Sequence, residues 1–429
     1  MPGSRDIMES VARCFGLRFA VIVVSVTLIF PVAGLAQDAR RPLSREEAVR
    51  LFLEQNPEVE AARLEVERTR AGQIAAGLRP NPQLTLTAEN FRLAGDTPLN
   101  RLYEVSASYS DTIELGDKRR LRGSVADLAV GVAEAGLAGT LRQRVYEVER
   151  LYLQAVLSRE RRDLAVETRA AFANVLALNE ARFEEGAVSE GDVIRVRLEL
   201  VRVDAVVREA ELALRQATIR LTEQLGGSDF DAWEIADDFV VFEGVPNLDA
   251  LRETALAERP GLQAAQAEAD RAEQRVALER ALAVPDIHPF VGYKRVASSD
   301  TLLFGVSVPL NFRDGNQDGI ARALTDRRIA ESRLSAARNR VAAEVESAYR
   351  TWESARDRVS GFVDDLLSQA DQAGEIALVS YEEGVRDLVS LLDTERVRAD
   401  IRSEYLQALF DYGIGILELE RAVGRDIEP

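Results

Sequence analysis

The chain has 429 residues, with 54 Lys and Arg against 72 Asp and Glu for a net charge of −18, one histidine and one cysteine. So acidic a balance excludes a nucleic-acid partner, and one imidazole with one thiol leaves little for soft-metal ligation or nucleophilic catalysis. Charged residues at 29% beside 46% hydrophobic ones suit long amphipathic helices.

Residues 1–36 read as a cleaved secretory signal. Arg5, Arg13 and Arg18 precede an apolar run over residues 19–33, and Gly34-Leu35-Ala36 supplies a small-residue cleavage site. The run is shorter than the roughly 20 residues a spanning helix needs, and no later segment reads as one. Cys14, Met1 and Met8 fall inside the signal segment 1–36, so the exported chain is expected to carry no disulfide and no lipid-accepting thiol.

Two repeats follow, 37–235 and 236–429, each expected to run helix, strand, strand, helix, helix. Asn56-Pro57-Glu58-Val59-Glu60-Ala61-Ala62 answers Arg259-Pro260-Gly261-Leu262-Gln263-Ala264-Ala265, and Phe183-Glu184-Glu185-Gly186 answers Tyr381-Glu382-Glu383-Gly384. In the first repeat, spacing predicts a helix over 44–78, strands near 83–91 and 102–113, and helices over 117–183 and 189–225. In the second it predicts a helix over 247–283, strands near 286–296 and 301–311, and helices over 318–383 and 387–423.

Leu200, Val203, Val207, Ala210, Leu214, Ala217 and Leu221 alternate steps of three and four, the seam of coiled packing, and Leu141, Val145, Val148, Tyr152 and Ala155 repeat it. A helix over 117–183 would extend about 100 Å at 1.5 Å per residue and needs neighbours along its whole length. Two shorter helices stacked end to end match it. The strands alternate with a period of two. Leu84, Leu86 and Ala88 oppose Thr85, Thr87 and Glu89, while Tyr103, Val105, Ala107 and Tyr109 oppose Glu104, Ser106, Ser108 and Ser110. Ile287, Pro289, Val291 and Tyr293 share a face, as do Leu302, Phe304, Val306 and Val308. Such staves fit a transmembrane barrel, although alternation alone also fits a sheet covering a soluble core. Export and the tyrosines on the apolar face favour lipid. Four strands cannot close a barrel and open edges are not tolerated in hydrocarbon, so several copies must each donate four.

The run from Arg79 through Pro80, Asn81, Pro82 and Gln83 to Phe91 resembles the start of the first strand in outer-membrane components of cobalt, zinc and cadmium efflux systems, a branch of the TolC family. Ile113-Glu114-Leu115-Gly116-Asp117-Lys118-Arg119 resembles that branch's exit from the second strand, where a second glycine commonly replaces Asp117. Val308-Pro309-Leu310-Asn311-Phe312 with Asn316-Gln317 resembles the matching exit in the second repeat. The resemblance implies a mainly α fold with a small β part: a long antiparallel α-helical barrel of coiled-coil hairpins plus four transmembrane β-strands per chain. It further implies a homotrimer with a twelve-stranded barrel in the outer membrane of a Gram-negative bacterium and a helical tunnel in the periplasm. Such a protein is a passive conduit and not an enzyme, without cofactors. Its partners are outer-membrane lipid, a periplasmic membrane-fusion adaptor and a proton-driven inner-membrane pump of the resistance-nodulation-division class. The branch suggests divalent heavy-metal cations as cargo. Drugs, organic solvents or type I secretion substrates are the alternatives, and a soluble periplasmic coiled-coil scaffold is the rival of another class.

By the same resemblance the corners 183–192 and 381–393 form the periplasmic tip. Gly186, Ala187, Val188, Gly384, Val385 and Arg386 would meet the adaptor, although both glycines also read simply as left-handed helix caps. Asp192 would join Tyr381 and Arg386 in a gate held by hydrogen bonds and a charge pair. Ser390 and Asp393 stand where the family's best-studied channel carries two lumenal aspartates, which leaves one ring of carboxylates. Asp314-Gly315-Asn316-Gln317-Asp318-Gly319 spells the opening of a calcium loop, but Thr325 stands where a bidentate glutamate belongs, so a tight turn is expected. No metal site is expected at His288.

Overall fold

The computed structural model describes residues 41–90, 103–241 and 244–427. The signal segment, and residues 91 and 102 of the expected strands, lie outside the described residues. The first repeat contains β1 (Arg41–Leu43), α1 (Arg45–Gln55), α2 (Pro57–Gly77), β2 (Gln83–Glu89), β3 (Glu104–Ser110), α3 (Lys118–Glu184), α4 (Glu190–Gln224) and β4 (Trp233–Ile235). The second contains α5 (Leu248–Glu258), α6 (Pro260–Leu282), β5 (His288–Val296), β6 (Ser299–Ser307), α7 (Gln317–Gly361), a π-helical turn (Phe362–Leu366), α8 (Leu367–Glu382) and α9 (Leu388–Val423).

Four expectations need correction. The helices read as continuous over 44–78 and 247–283 are each two, because Pro57 and Pro260 lack an N–H and hold the residue before them extended. Each proline then starts a new helix at its first position, and Asn56 Oδ1 caps one by accepting from the Glu58 N–H at 2.7 Å. The helix expected over 318–383 is interrupted by the π turn. β1 and β4, paired in parallel with Leu43 opposite Ile235, escape the sequence reading because three residues are too few to show alternation. Finally, α3 does contain an 18-residue stretch long and apolar enough to cross a membrane by composition, with mean hydropathy 1.3. Ala, Val and Leu raise that value, and two acids of the same part of α3 point into helix contacts: Asp127 accepts from Gln73 of α2 at 2.8 Å and Glu134 pairs with Arg70 at 2.6 Å.

α2 and α6 flank the first part of α3, and α4 and α9 flank its second part. Among the described residues, two smaller apolar cores of this sheath sit around Leu121 with Leu278 and around Ala269 with Ala330, and three are larger. One gathers Leu43, Phe52, Val148 and Tyr152 under β1 and β4, where the Tyr152 hydroxyl donates to the Leu43 carbonyl at 2.8 Å. A second surrounds Trp352 and Tyr412 on α7 and α9. The third, toward the α3–α4 and α8–α9 turns, holds Phe172, Val196, Tyr381 and Leu391.

β2, β3, β5 and β6 form one antiparallel sheet in that order, which leaves β2 and β6 as edges. Its register aligns the two repeats. Leu86 lies opposite Ala107, then Tyr293, then Leu302, and Leu84 opposite Tyr109, Val291 and Phe304. These apolar positions therefore share one face, and that face is uncovered: Leu86 is 73% exposed and Phe304 76%. Arg295 and Asp300 end the apolar band, with the Tyr293 hydroxyl donating to Asp300 at 2.6 Å. The other face carries Thr85, Thr87, Ser106, Ser108, Lys294 and Thr301, and Phe290 lies over Gly305, where a Cβ would collide with the ring.

Candidate functional site

Two places on the chain carry functional geometry: the passage from sheet to sheath, and the far end of the long helices. At the passage, Ile113 pairs with Ile287 and the chain then turns through Gly116 at φ 74° and Asp117 at φ 60°. Both are left-handed, which accounts for glycines in a motif of this kind; aspartate tolerates the conformation better than most side chains. Lys118 is buried and donates to Asp286 at 2.6 Å, and the Leu115 N–H reaches the same oxygen at 3.1 Å. Burial pushes the Asp286 carboxyl up, but these two donors outweigh it and hold the group below its ordinary value. Arg122 pairs with Glu114 and donates to the Leu78 carbonyl at 3.2 Å, tying β3's exit to the end of α2.

The second repeat makes the same turn at Asn316, φ 59°, whose amide donates to the Glu279 carbonyl at 2.8 Å. Asp314 accepts from the Asn316 N–H at 2.9 Å, so the aspartate–glycine segment is a turn. Among the described residues no group of three or more His, Cys, Asp or Glu side chains is placed to hold a metal. His288 Nδ1 lies 3.1 Å from the Thr112 hydroxyl.

At the far end, α3 and α8 finish in the same way. Gly186 at φ 76° and Gly384 at φ 75° are the left-handed residues of two Schellman motifs. The Ala187 N–H returns to the Arg182 carbonyl and the Val385 N–H to that of Ser380, both at 2.8 Å. In each corner the next helix begins shortly after the glycine, with Ser189 as the cap of α4 and Asp387 as the cap of α9.

The two caps exchange residue types. Ser189 and Asp192 form a capping box around α4, in which the Asp192 carboxylate accepts from the Ser189 N–H at 3.2 Å and from its hydroxyl at 2.8 Å. On α9 the aspartate comes first: Asp387 accepts from the Ser390 N–H at 2.8 Å. Arg386 then donates to the Ser390 hydroxyl at 3.4 Å.

Within one protomer, among the described residues, Asp192 hydrogen-bonds neither Tyr381 nor Arg386. The carboxylate is taken by its own helix cap, and the phenol is buried elsewhere: Tyr381 is 4% exposed and its hydroxyl donates to Asn179 Oδ1. Burial, more than any neighbouring charge, holds that phenol above its ordinary pKa, and Asp192 adds only a weaker repulsion. Asp393 is exposed and Ser390 half-buried on the first turns of α9. Gly186, Ala187, Gly384, Val385 and Arg386 are exposed and Val188 half-buried, so the six expected docking residues lie on two surface turns. Around them stand exposed Glu184, Glu185, Glu190, Glu382, Glu383 and Asp387, with Phe183 and Val385 as apolar points between the acids.

Sequence reasoning does not reach Asn179 or Arg182. A signal for the first exists: Phe172, Val175 and Asn179 follow steps of three and four, so the asparagine occupies a core position of the seam, where a polar side chain demands a specific partner.

An uncovered apolar sheet face above helices of this length defines an outer-membrane protein with a helical periplasmic part. The chain belongs to the outer membrane efflux protein family, whose profile matches residues 48–227 and again 251–425, one stretch in each repeat. It is 26% identical over 403 residues to the cobalt-zinc-cadmium resistance protein CzcC of Cupriavidus metallidurans, covering 94% of this chain and 93% of that one. It is 25% identical to the nickel and cobalt resistance protein CnrC of the same organism, over 65% of this chain and 66% of the other. Among solved structures, CusC superposes with a TM-score of 0.74 at 17% identity, over 89% of this chain and 92% of that one.

Proposed function

We propose that this protein is the outer-membrane channel of a tripartite efflux pump and that it passes divalent heavy-metal cations outward without choosing them. The observation that carries the reading is the four-stranded sheet, with one apolar face uncovered and both edges open. Lipid accepts such a face, but an edge in hydrocarbon must be paired, and three copies supply a twelve-stranded barrel of ordinary size. The helices support the same assembly: Ile194, Leu198 and Val201 on α4 and Ile376 and Val379 on α8 form exposed apolar stripes suited to neighbouring copies.

The tip turns suit a periplasmic adaptor, with Gly186, Ala187, Val188, Gly384, Val385 and Arg386 as its contacts; their acidic surroundings favour a partner surface of basic and apolar residues. An inner-membrane pump of the resistance-nodulation-division class supplies the energy. In a trimer Asp393 repeats as a ring of carboxylates that attracts cations, beside Ser390. The similarity to the two metal-resistance proteins named above supports metal cargo. Deleting the gene should sensitise cells to cobalt, zinc or cadmium salts, and the protein should fractionate with the outer membrane as a heat-modifiable trimer. Sensitivity to drugs alone would overturn the cargo, and release of the protein by osmotic shock would overturn the channel.

A further inference from the structure

We propose that Lys294 keeps the outer end of the barrel from retaining the cations that pass through it, its ammonium holding the place between Glu89 and Glu104 that a divalent cation would otherwise take. This rests on the channel reading above, which makes the polar face of the sheet the wall of a water-filled passage and the end remote from the helices its exit. Among the described residues of the four strands, that face carries Lys, Arg, Asp or Glu at these three positions only, and all three meet at the exit. Glu89 of β2 lies directly opposite Glu104 of β3, a pairing of like charges that disfavours a sheet when nothing stands between them. Lys294 of β5 stands there: its Nζ pairs with Glu104 Oε2 and lies 3.5 Å from Glu89 Oε1. The lysine side chain is 29% exposed and that of Glu104 20%, so water screens this contact only in part.

Two carboxylates opposite one another across a strand pair, with Cβ atoms about 5 Å apart, offer hard oxygen ligands to a divalent cation whose shell water can complete. A conduit works only where binding is weak enough for the ion to leave. Lys294 meets that requirement without discarding the acids. Its charge is tethered to the chain and cannot be carried off by the flow, and one positive against two negative charges still leaves each protomer net negative at the exit, so cations are attracted but not held. The rest of the face, with Thr85, Thr87, Ser106, Ser108 and Thr301, offers neutral hydroxyls to a passing ion.

The test is calorimetric titration of cobalt chloride into purified full-length trimers in detergent, beside single-channel recording of the same trimers in planar bilayers. Lys294→Gln frees both carboxylates and should bind about one cobalt ion per chain that wild type does not. Lys294→Arg keeps the charge and should bind no more cobalt than wild type. Adding Glu89→Gln to Lys294→Gln removes one of the two ligands and should abolish the gain, which general loosening of the barrel would not do. If Lys294→Gln yields little trimer, cobalt chloride present during extraction should raise the yield about tenfold by replacing the ammonium between the two acids. Equal cobalt binding by wild type and Lys294→Gln, a gain in Lys294→Arg as large as in Lys294→Gln, or a poor trimer yield that cobalt leaves unchanged would each overturn the role of Lys294. Absence of any conducting pore from the wild-type trimer would instead sink the channel reading itself.

Discussion

Both halves of the chain run through two helices, two strands and two further helical stretches, yet the first carries its long helix unbroken from Lys118 to Glu184 while the second interrupts its own with a π turn at Phe362–Leu366. The strand-to-helix turns differ in a related way. Asp117 holds a left-handed backbone with its side chain paired to exposed Arg120, whereas Asn316 holds the same backbone and also anchors to Glu279 of α6. A π turn accommodates one extra residue without shifting the packing on either side of it, and such turns recur at functional sites. The first half thus carries a continuous rod, and the second a rod interrupted between α7 and α8.

The largest effects should come where the repeats are alike. Leu86→Arg in the first and Leu302→Arg in the second both put a charge on the uncovered apolar face, each costing about 2–4 kcal/mol per chain near the bilayer midplane. Both should abolish heat-modifiable trimer on unheated gels; loss from one alone would mean the two halves of the sheet do not share an environment.

The seam between the repeats comes next. Glu149 of α3 is pushed up to about 7, first by burial and further by Glu420 of α9 and Asp426, against the opposing pull of Arg45. A carboxyl raised in the folded state keeps its proton while the unfolded chain loses it, so stability falls as pH rises from about 4.5 to about 7. Glu149→Gln removes that penalty, so the variant should be more stable than wild type by about 3 kcal/mol at about pH 8, converging with it near pH 4.5. Thermal melts at the two pH values check this; equal gains at both would contradict it.

Smaller differences sharpen the contrast between turns. Asn316→Gly should lose about 1 kcal/mol with the bonds to Glu279, while Asp117→Gly should cost nothing measurable or stabilise, because glycine suits φ 60° and only an exposed pair is lost. Melting of the two variants side by side decides it. Deleting exposed Val363 should convert the π turn to regular helix with less than about 1 kcal/mol change in a thermal melt.

Much of this was legible in the sequence. Amphipathic spacing repeated over many turns marks the long helices within a few residues, and strict alternation in four short segments marks the strands and their apolar face. β1 and β4 are too short to carry a period, and one extra residue at Phe362–Leu366 is invisible against steps of three and four. The two helix-ending turns were legible as Gly186 and Gly384, and Ser189-Glu190-Gly191-Asp192 is itself a capping-box pattern that argues Asp192 toward its own helix. The partner of Tyr381 was not legible, because it depends on the register of α8 against α3, across 202 positions of chain.

Labelling along β6 tests the lipid-facing sheet most directly. Cys14 is the only native cysteine and falls in the expected signal, so single cysteines can be placed at positions 301, 302, 303, 304 and 306 and exposed in intact outer membranes to a water-soluble maleimide; Gly305 is left alone because a Cβ there meets the Phe290 ring. Positions 302, 304 and 306 should resist the reagent while 301 and 303 react, a period of two set by hydrocarbon on one side and water on the other. Uniform labelling of all these positions, on a protein that stays in solution without detergent, would contradict a membrane barrel outright.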